Sequence, residues 1–158
     1  MPEDLSGFLE AVSRERECIE LFVSLLENEK ALLSKGQIDG LDPIIREKEA
    51  IASRLETCAG QRNRYLVDHG LSPDRTGMAT WLAAHPDQVQ AEAAWARTLA
   101  LAAQAKNTNR LNGQLIQMHQ QFTGQALDIL TRRESPLSLY GPDGRTASPG
   151  DRQINDTV

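Results

Sequence analysis

The stretch LSGFLEAVSRERECIELFVSLLENEKALL, running from Leu5 to Leu33, decides the fold. Within it Leu5, Val12, Ile19, Leu26 and Leu33 recur every seven residues, and Phe8 and Phe22 fall three places after Leu5 and Ile19. That spacing is the a/d seam of a helix that packs along another helix. Glu15 and Glu29 stand at the same heptad position as the two Phe residues, so the seam carries carboxylates where apolar side chains are expected. The pattern predicts a helix from about Ser6 to Lys35.

Working outward, Gly36-Gln37-Ile38-Asp39-Gly40 reads as a turn, with Gly36 as the C-terminal cap. Asp42-Pro43 has the form of a helix start, Asp as N-cap and Pro at the first helical position. The helix it opens carries Leu41, Ile44, Ile51, Leu55, Cys58 and Tyr65 along its seam, interrupted by Lys48 and Arg62, and closes at Gly70. So short a connection between two long helices predicts an antiparallel hairpin with arms of roughly 45 Å. Folding about residue 38 sets Cys18 level with Cys58, where the two thiols act as small buried apolar groups; a redox pair is the alternative. The charged runs Arg14-Glu15-Arg16-Glu17 and Arg46-Glu47-Lys48-Glu49 read as solvated helix faces.

Ser72-Pro73-Asp74 predicts another start, for a short helix with Met78, Trp81 and Leu82 that ends at His85-Pro86. A long last helix follows to about Glu134. Its first half is rich in alanine, which favours helix and lets neighbours approach closely. Its second half bears one stripe of Leu111, Leu115, Met118, Phe122 and Ile129. A neighbouring stripe holds Trp95, Leu99, Ala102, Ile116, Thr123, Leu127 and Leu130. Two stripes give one helix two obligations, one to the hairpin and one to a partner. Ser135-Pro136 ends it. The remaining segment contains three prolines and three glycines with few apolar groups, which predicts an extended tail. The expected fold is all-α: an elongated antiparallel helical bundle, or coiled-coil hairpin, with a long C-terminal helix. Residues 1–134 form the body and 135–158 a flexible tail.

The chain has 158 residues, 25% charged and 40% apolar, with a formal net charge of −5, all ordinary for one globular domain. An acidic balance without a cluster of Lys and Arg argues against nucleic acid. No apolar run reaches the ~20 residues of a membrane span, so no membrane insertion is expected. The N-terminus lacks the basic and apolar regions of a signal peptide, and two cysteines are no disulfide framework, so a cytoplasmic location is expected. His69, His85 and His119 are scattered without acidic or Cys partners at metal-ligand spacing, and no Gly-rich phosphate loop is present. The expectation is no enzyme, no metal and no cofactor.

One local feature runs against propensity. Asn109 and Asn112 lie on one helix face, and Gly113 follows at a cost of about 1 kcal/mol relative to Ala. Either Gly113 marks a close approach, or the asparagines line a groove in which they bond a partner's backbone.

Here the chain resembles the FlgN-type flagellar export chaperones. The resemblance lies in the long hairpin, the Trp-bearing last helix, Asn109-x-x-Asn112-Gly113 followed by Leu115-Ile116, then Ala126-Leu127-x-x-Leu130, and Leu139-Tyr140-Gly141-x-x-Gly144 in the tail. It implies a type III export chaperone that binds the C-terminal segments of hook–filament junction proteins, prevents their premature assembly and delivers them to the export gate. Carried over by position, cargo contacts fall on Asn109, Asn112, Gly113, Leu115, Met118, Phe122 and Ile129. Contacts to the cytoplasmic domain of the export gate fall on Leu139, Tyr140 and Gly141. The alternative is a structural coiled-coil adaptor or self-associating helical scaffold that uses the second stripe of the last helix as its contact face.

Overall fold

The structure is a computed structural model that describes residues 2–131, with side chains as far as residue 121. Four α-helices, with no strand among the described residues, make it all-α: α1 (Glu3–Ser34), α2 (Leu41–Asp68), α3 (Arg75–Ala84) and α4 (Val89–Thr131). A 3-10 turn, Ile38–Gly40, joins α1 to α2. The expected tail, 135–158, and the end of the expected body lie outside the described residues.

The hairpin forms as the seam predicts. Gly36 takes φ +70° after α1, a conformation only glycine adopts without strain, and lets the Gly36 and Gln37 N–H groups bond back to Leu33 and Leu32. One boundary differs from expectation. Helix α2 starts at Leu41 with Gly40 as its N-cap residue, so Asp42 is not the cap and Pro43 is not the first helical residue. The 3-10 turn runs straight into the helix, and Pro43 is tolerated because first-turn N–H groups need no intrahelical partner.

Helix α1 is the spine. It packs along α2 on one side and along α4 on the other, whereas α2 and α4 hardly approach within 8 Å between Cα atoms. Helix α2 runs antiparallel to α1. Helix α4 runs parallel to it: Asn112 bonds the Leu26 carbonyl and His119 the Leu33 carbonyl, both numbers rising together. His119 also lies 3.8 Å from where a Gly36 side chain would begin, so α4 draws level with the hairpin turn there and continues past it to Thr131.

Helix α3 closes the opposite end. Asp74 caps it, accepting from the Gly77 N–H at 3.0 Å and from the Ser72 hydroxyl at 2.7 Å. Those two donors, the backbone one first, hold the Asp74 carboxyl below its ordinary value. Phe8, Val12, Leu66, Met78, Trp81 and Trp95 form the core at this end. Phe8 stacks on Tyr65 at 4.2 Å between ring centroids and meets Trp81 edge-on at 4.7 Å, geometries that aromatic rings favour. Farther along, Ile19, Val23 and Leu26 pack on Leu101 and Ala105 of α4. Cys18, Leu25 and Ile51 fill the α1–α2 seam.

The four charged residues that interrupt the two seams meet one another. Glu15 is buried and pairs with Arg62 through both carboxylate oxygens, and Arg62 lies 4.7 Å over the Trp95 ring. Glu29, 3% exposed, receives Lys48 at 3.2 Å on both oxygens, and the same Nζ donates to Asn109 at 3.2 Å. Each layer ties α1, α2 and α4 together. Glu15 and Lys48 are therefore not solvated, contrary to the reading of their charged runs. They are masked in the sequence because the acid and its cation lie on different helices.

Candidate partner-binding site

The predicted contact residues divide between two sides of α4. Asn109 is exposed and faces α2 through Lys48. Asn112, 1% exposed, points at α1 instead: its Nδ2 donates to the Leu26 carbonyl at 2.9 Å and to Glu29 Oε1 at 2.8 Å. Both partners are acceptors, which fixes the amide's orientation and leaves Oδ1 buried without a donor among the described residues. The Asn112 amide thus bonds the backbone of α1 within the chain. Gly113 is half-buried beside it.

Leu115 is half-buried and Met118 is 63% exposed. By helical position both lie on the side of α4 turned away from Asn109. Phe122 and Ile129 belong to α4, but their side chains lie outside the described residues, as do Leu139, Tyr140 and Gly141 entirely. The structure therefore brings Leu115 and Met118 onto one face, sets Asn109 and Gly113 toward another, and uses Asn112 as a tether.

What fastens this part of α4 is polar. Thr108 reaches Glu27 at 3.5 Å, Asn112 holds Leu26 and Glu29, and the His119 Nε2–H donates to the Leu33 carbonyl at 2.6 Å. The first half of α4 is fastened by apolar burial of Ala91, Ala94, Trp95 and Leu101. Sequence reasoning missed the contribution of α2 to the site. Lys48 was the available signal, since a cation inside an apolar seam needs an acid on a neighbouring helix.

No three or more His, Cys, Asp or Glu side chains gather as a metal site among the described residues. No described helix is long and apolar enough to cross a membrane. Cys18 and Cys58 are both buried and free. Burial, and then the neighbouring Cys18, push the Cys58 thiol above its ordinary value, so it stays protonated and unreactive.

Residues 1–148 match the family described as FlgN protein. The chain is 29% identical over 135 residues to the flagella synthesis protein FlgN of Yersinia enterocolitica, an alignment covering 84% of each chain. It is equally similar to the protein of the same name from Yersinia enterocolitica serotype O:8 / biotype 1B, strain NCTC 13174 / 8081. No solved structure matches. With nearly the full length matched, and with a helical hairpin backed by a long last helix, the chain belongs to the FlgN family.

Proposed function

We propose that the protein is a cytoplasmic flagellar type III export chaperone. In this reading it binds the C-terminal segments of hook–filament junction proteins, keeps them from assembling early and delivers them to the cytoplasmic domain of the export gate. Family membership and the names of the relatives, flagella synthesis proteins, support a role in flagellum biogenesis. The observation that carries the finer reading is the end of α4. It draws level with the hairpin turn at His119 and carries Met118, 63% exposed, one turn beyond half-buried Leu115. An amphipathic cargo helix buries such a stripe, and a thioether adapts to more than one cargo shape. Leu139, Tyr140 and Gly141 are assigned to the gate contact, since a tyrosine in a Gly- and Pro-rich segment offers apolar area and a hydroxyl for a transient encounter.

The test is co-purification of the full chain and of residues 1–134 with junction proteins of the same organism. Capture by both forms assigns cargo binding to the body and leaves the Tyr140 segment for gate docking. Capture by neither removes the cargo assignment. Light scattering that finds a dimer persisting when cargo is added replaces it with the self-associating scaffold.

A further inference from the structure

Helices α2 and α4 share α1 as a floor but do not close on each other. The long side chains of Arg62 and Lys48 reach across the space to Trp95 and Asn109. The space is a wedge. At the α3 end Leu66 and Trp95 are both buried in one core. Moving toward the hairpin turn along the same heptad position of α2, Ala59 is half-buried, Ala52 exposed and Ile45 43% exposed. The opposite wall follows suit, from buried Trp95 to half-buried Ala102 to exposed Asn109.

Between the two bridging cations the floor is Phe22, which stays half-buried although Phe8, two heptads earlier, is 2% exposed. Phe22 packs beside Leu55, and Ala59, Ala52 and Ala102 on the two walls are small. From Ala59 to Ile45 the open length is about 21 Å, four turns of helix. We propose that this α2–α4 groove seats one amphipathic helix of an exported flagellar protein, entering from the hairpin turn and completing a four-helix bundle. The inference rests on the chaperone reading above and adds a second face to it. Leu115 and Met118 lie on the far side of α4, whereas the groove runs into Gly113 and the half-buried Ile116.

Charge fixes the chemistry of the occupant. The α2 rim carries exposed Glu49 and Glu56, and the α4 rim carries exposed Lys106 and Arg110. These opposite charges form no ion pair with each other across the opening. A helix that fits has small or apolar residues along its seam, basic residues on the edge toward α2 and acidic residues on the edge toward α4. Alanine walls allow the close axial approach that such packing needs.

The test uses the full chain and the C-terminal segment of a junction protein, with affinity measured by calorimetry for wild type, Ala52→Trp and Met118→Glu. Ala52 is exposed, so Trp blocks the groove without disturbing the core, and circular dichroism confirms the fold. The expected result is at least tenfold weaker binding for Ala52→Trp, with slowed hydrogen exchange between residues 52 and 59 when wild type is bound. Wild-type affinity in Ala52→Trp, with weakening confined to Met118→Glu and no protection of α2, overturns the groove and leaves the chaperone reading intact. A wild-type homodimer that Ala52→Trp dissociates also overturns it, since a second copy then fills the groove. Absence of wild-type binding overturns the chaperone reading and the groove's assignment together.

Discussion

At the residue scale, the buried ion pairs are where the chain has most to lose. Removing one member of the Glu15–Arg62 pair leaves the other charge buried at the centre of three helices. Arg62→Met is expected to destabilise the fold by about 3–5 kcal/mol, read as a lower urea midpoint. Glu15→Leu combined with Arg62→Met recovers most of that loss, because an apolar pair needs no compensating charge. If the single and double variants unfold together, the pair's contribution is packing rather than charge. The same logic explains what could be read at this scale. Glu15, Glu29, Lys48 and Arg62 were visible as exceptions to two seams, but their pairing depends on hairpin register, which no single helix displays. Asn112 shows the converse. Its sequence context marked it as unusual, and only the tertiary placement of α4 reveals that the amide serves Leu26 and Glu29.

Cys58 supplies a pH-dependent counterpart. Burial and then the neighbouring Cys18 raise its pKa above the ordinary 9.0, so the folded state keeps a proton that the unfolded chain releases. The stability this contributes is fully present below about pH 9 and is lost as pH climbs through the raised native value. Urea titrations at about pH 8 and about pH 10 are expected to show a steeper loss for wild type than for Cys58→Ala. Equal slopes would mean that the thiol's surroundings do not distinguish its two protonation states.

At the element scale, α3 depends on its first turn. Asp74 accepts the Gly77 N–H, and a side chain at Gly77 would begin only 1.8 Å from the Ser72 carbonyl oxygen. The backbone of the connecting loop lies against the helix so closely that no side chain fits. Gly77→Ala is therefore expected to lower stability by ~2–3 kcal/mol and to weaken the burial of Trp81, read as a red shift of tryptophan emission. Unchanged emission and melting temperature would show that the loop yields without cost. The lowered Asp74 pKa carries its own sign: the cap is intact above 3.8 and is lost as pH falls through the depressed native value. Asp74→Ala is expected to remove that part of the acid dependence, which thermal melts across the acid range measure. The Ser-Pro-Asp signature placed this helix correctly from sequence alone. The start of α2 was misplaced by the same rule, because a 3-10 turn ahead of it supplied residues already near helical geometry.

At the scale of the whole molecule, three helices of unequal length set the shape. Helix α4, with 43 residues, spans about 65 Å, and α1, with 32, about 48 Å. Because α4 runs parallel to α1 and passes the hairpin turn at His119, its end extends beyond the bundle. Hydrogen exchange is expected to be slowest where Trp95 and Leu101 are buried and faster from about residue 119 onward. Uniform protection along α4 would contradict the division between its apolar and polar fastenings. The all-α class, the hairpin and the long last helix were legible because heptad spacing and turn residues act locally. The open side of the bundle was not, since the gap between α2 and α4 is a property of three helices at once.

The two charged layers lie two heptads apart on every helix that builds them: Glu15 to Glu29, Lys48 to Arg62, Trp95 to Asn109. A slip of α2 by one heptad away from the hairpin turn sets Arg62 and Lys48 against Phe8 and Phe22 and leaves both carboxylates facing leucine. A slip of two heptads preserves one layer but strips about 21 Å of overlap from the helix pair. The apolar seam, repeating every turn or two, tolerates either error. The charges tolerate neither, so the chain writes its alignment in the few residues that spoil its heptads.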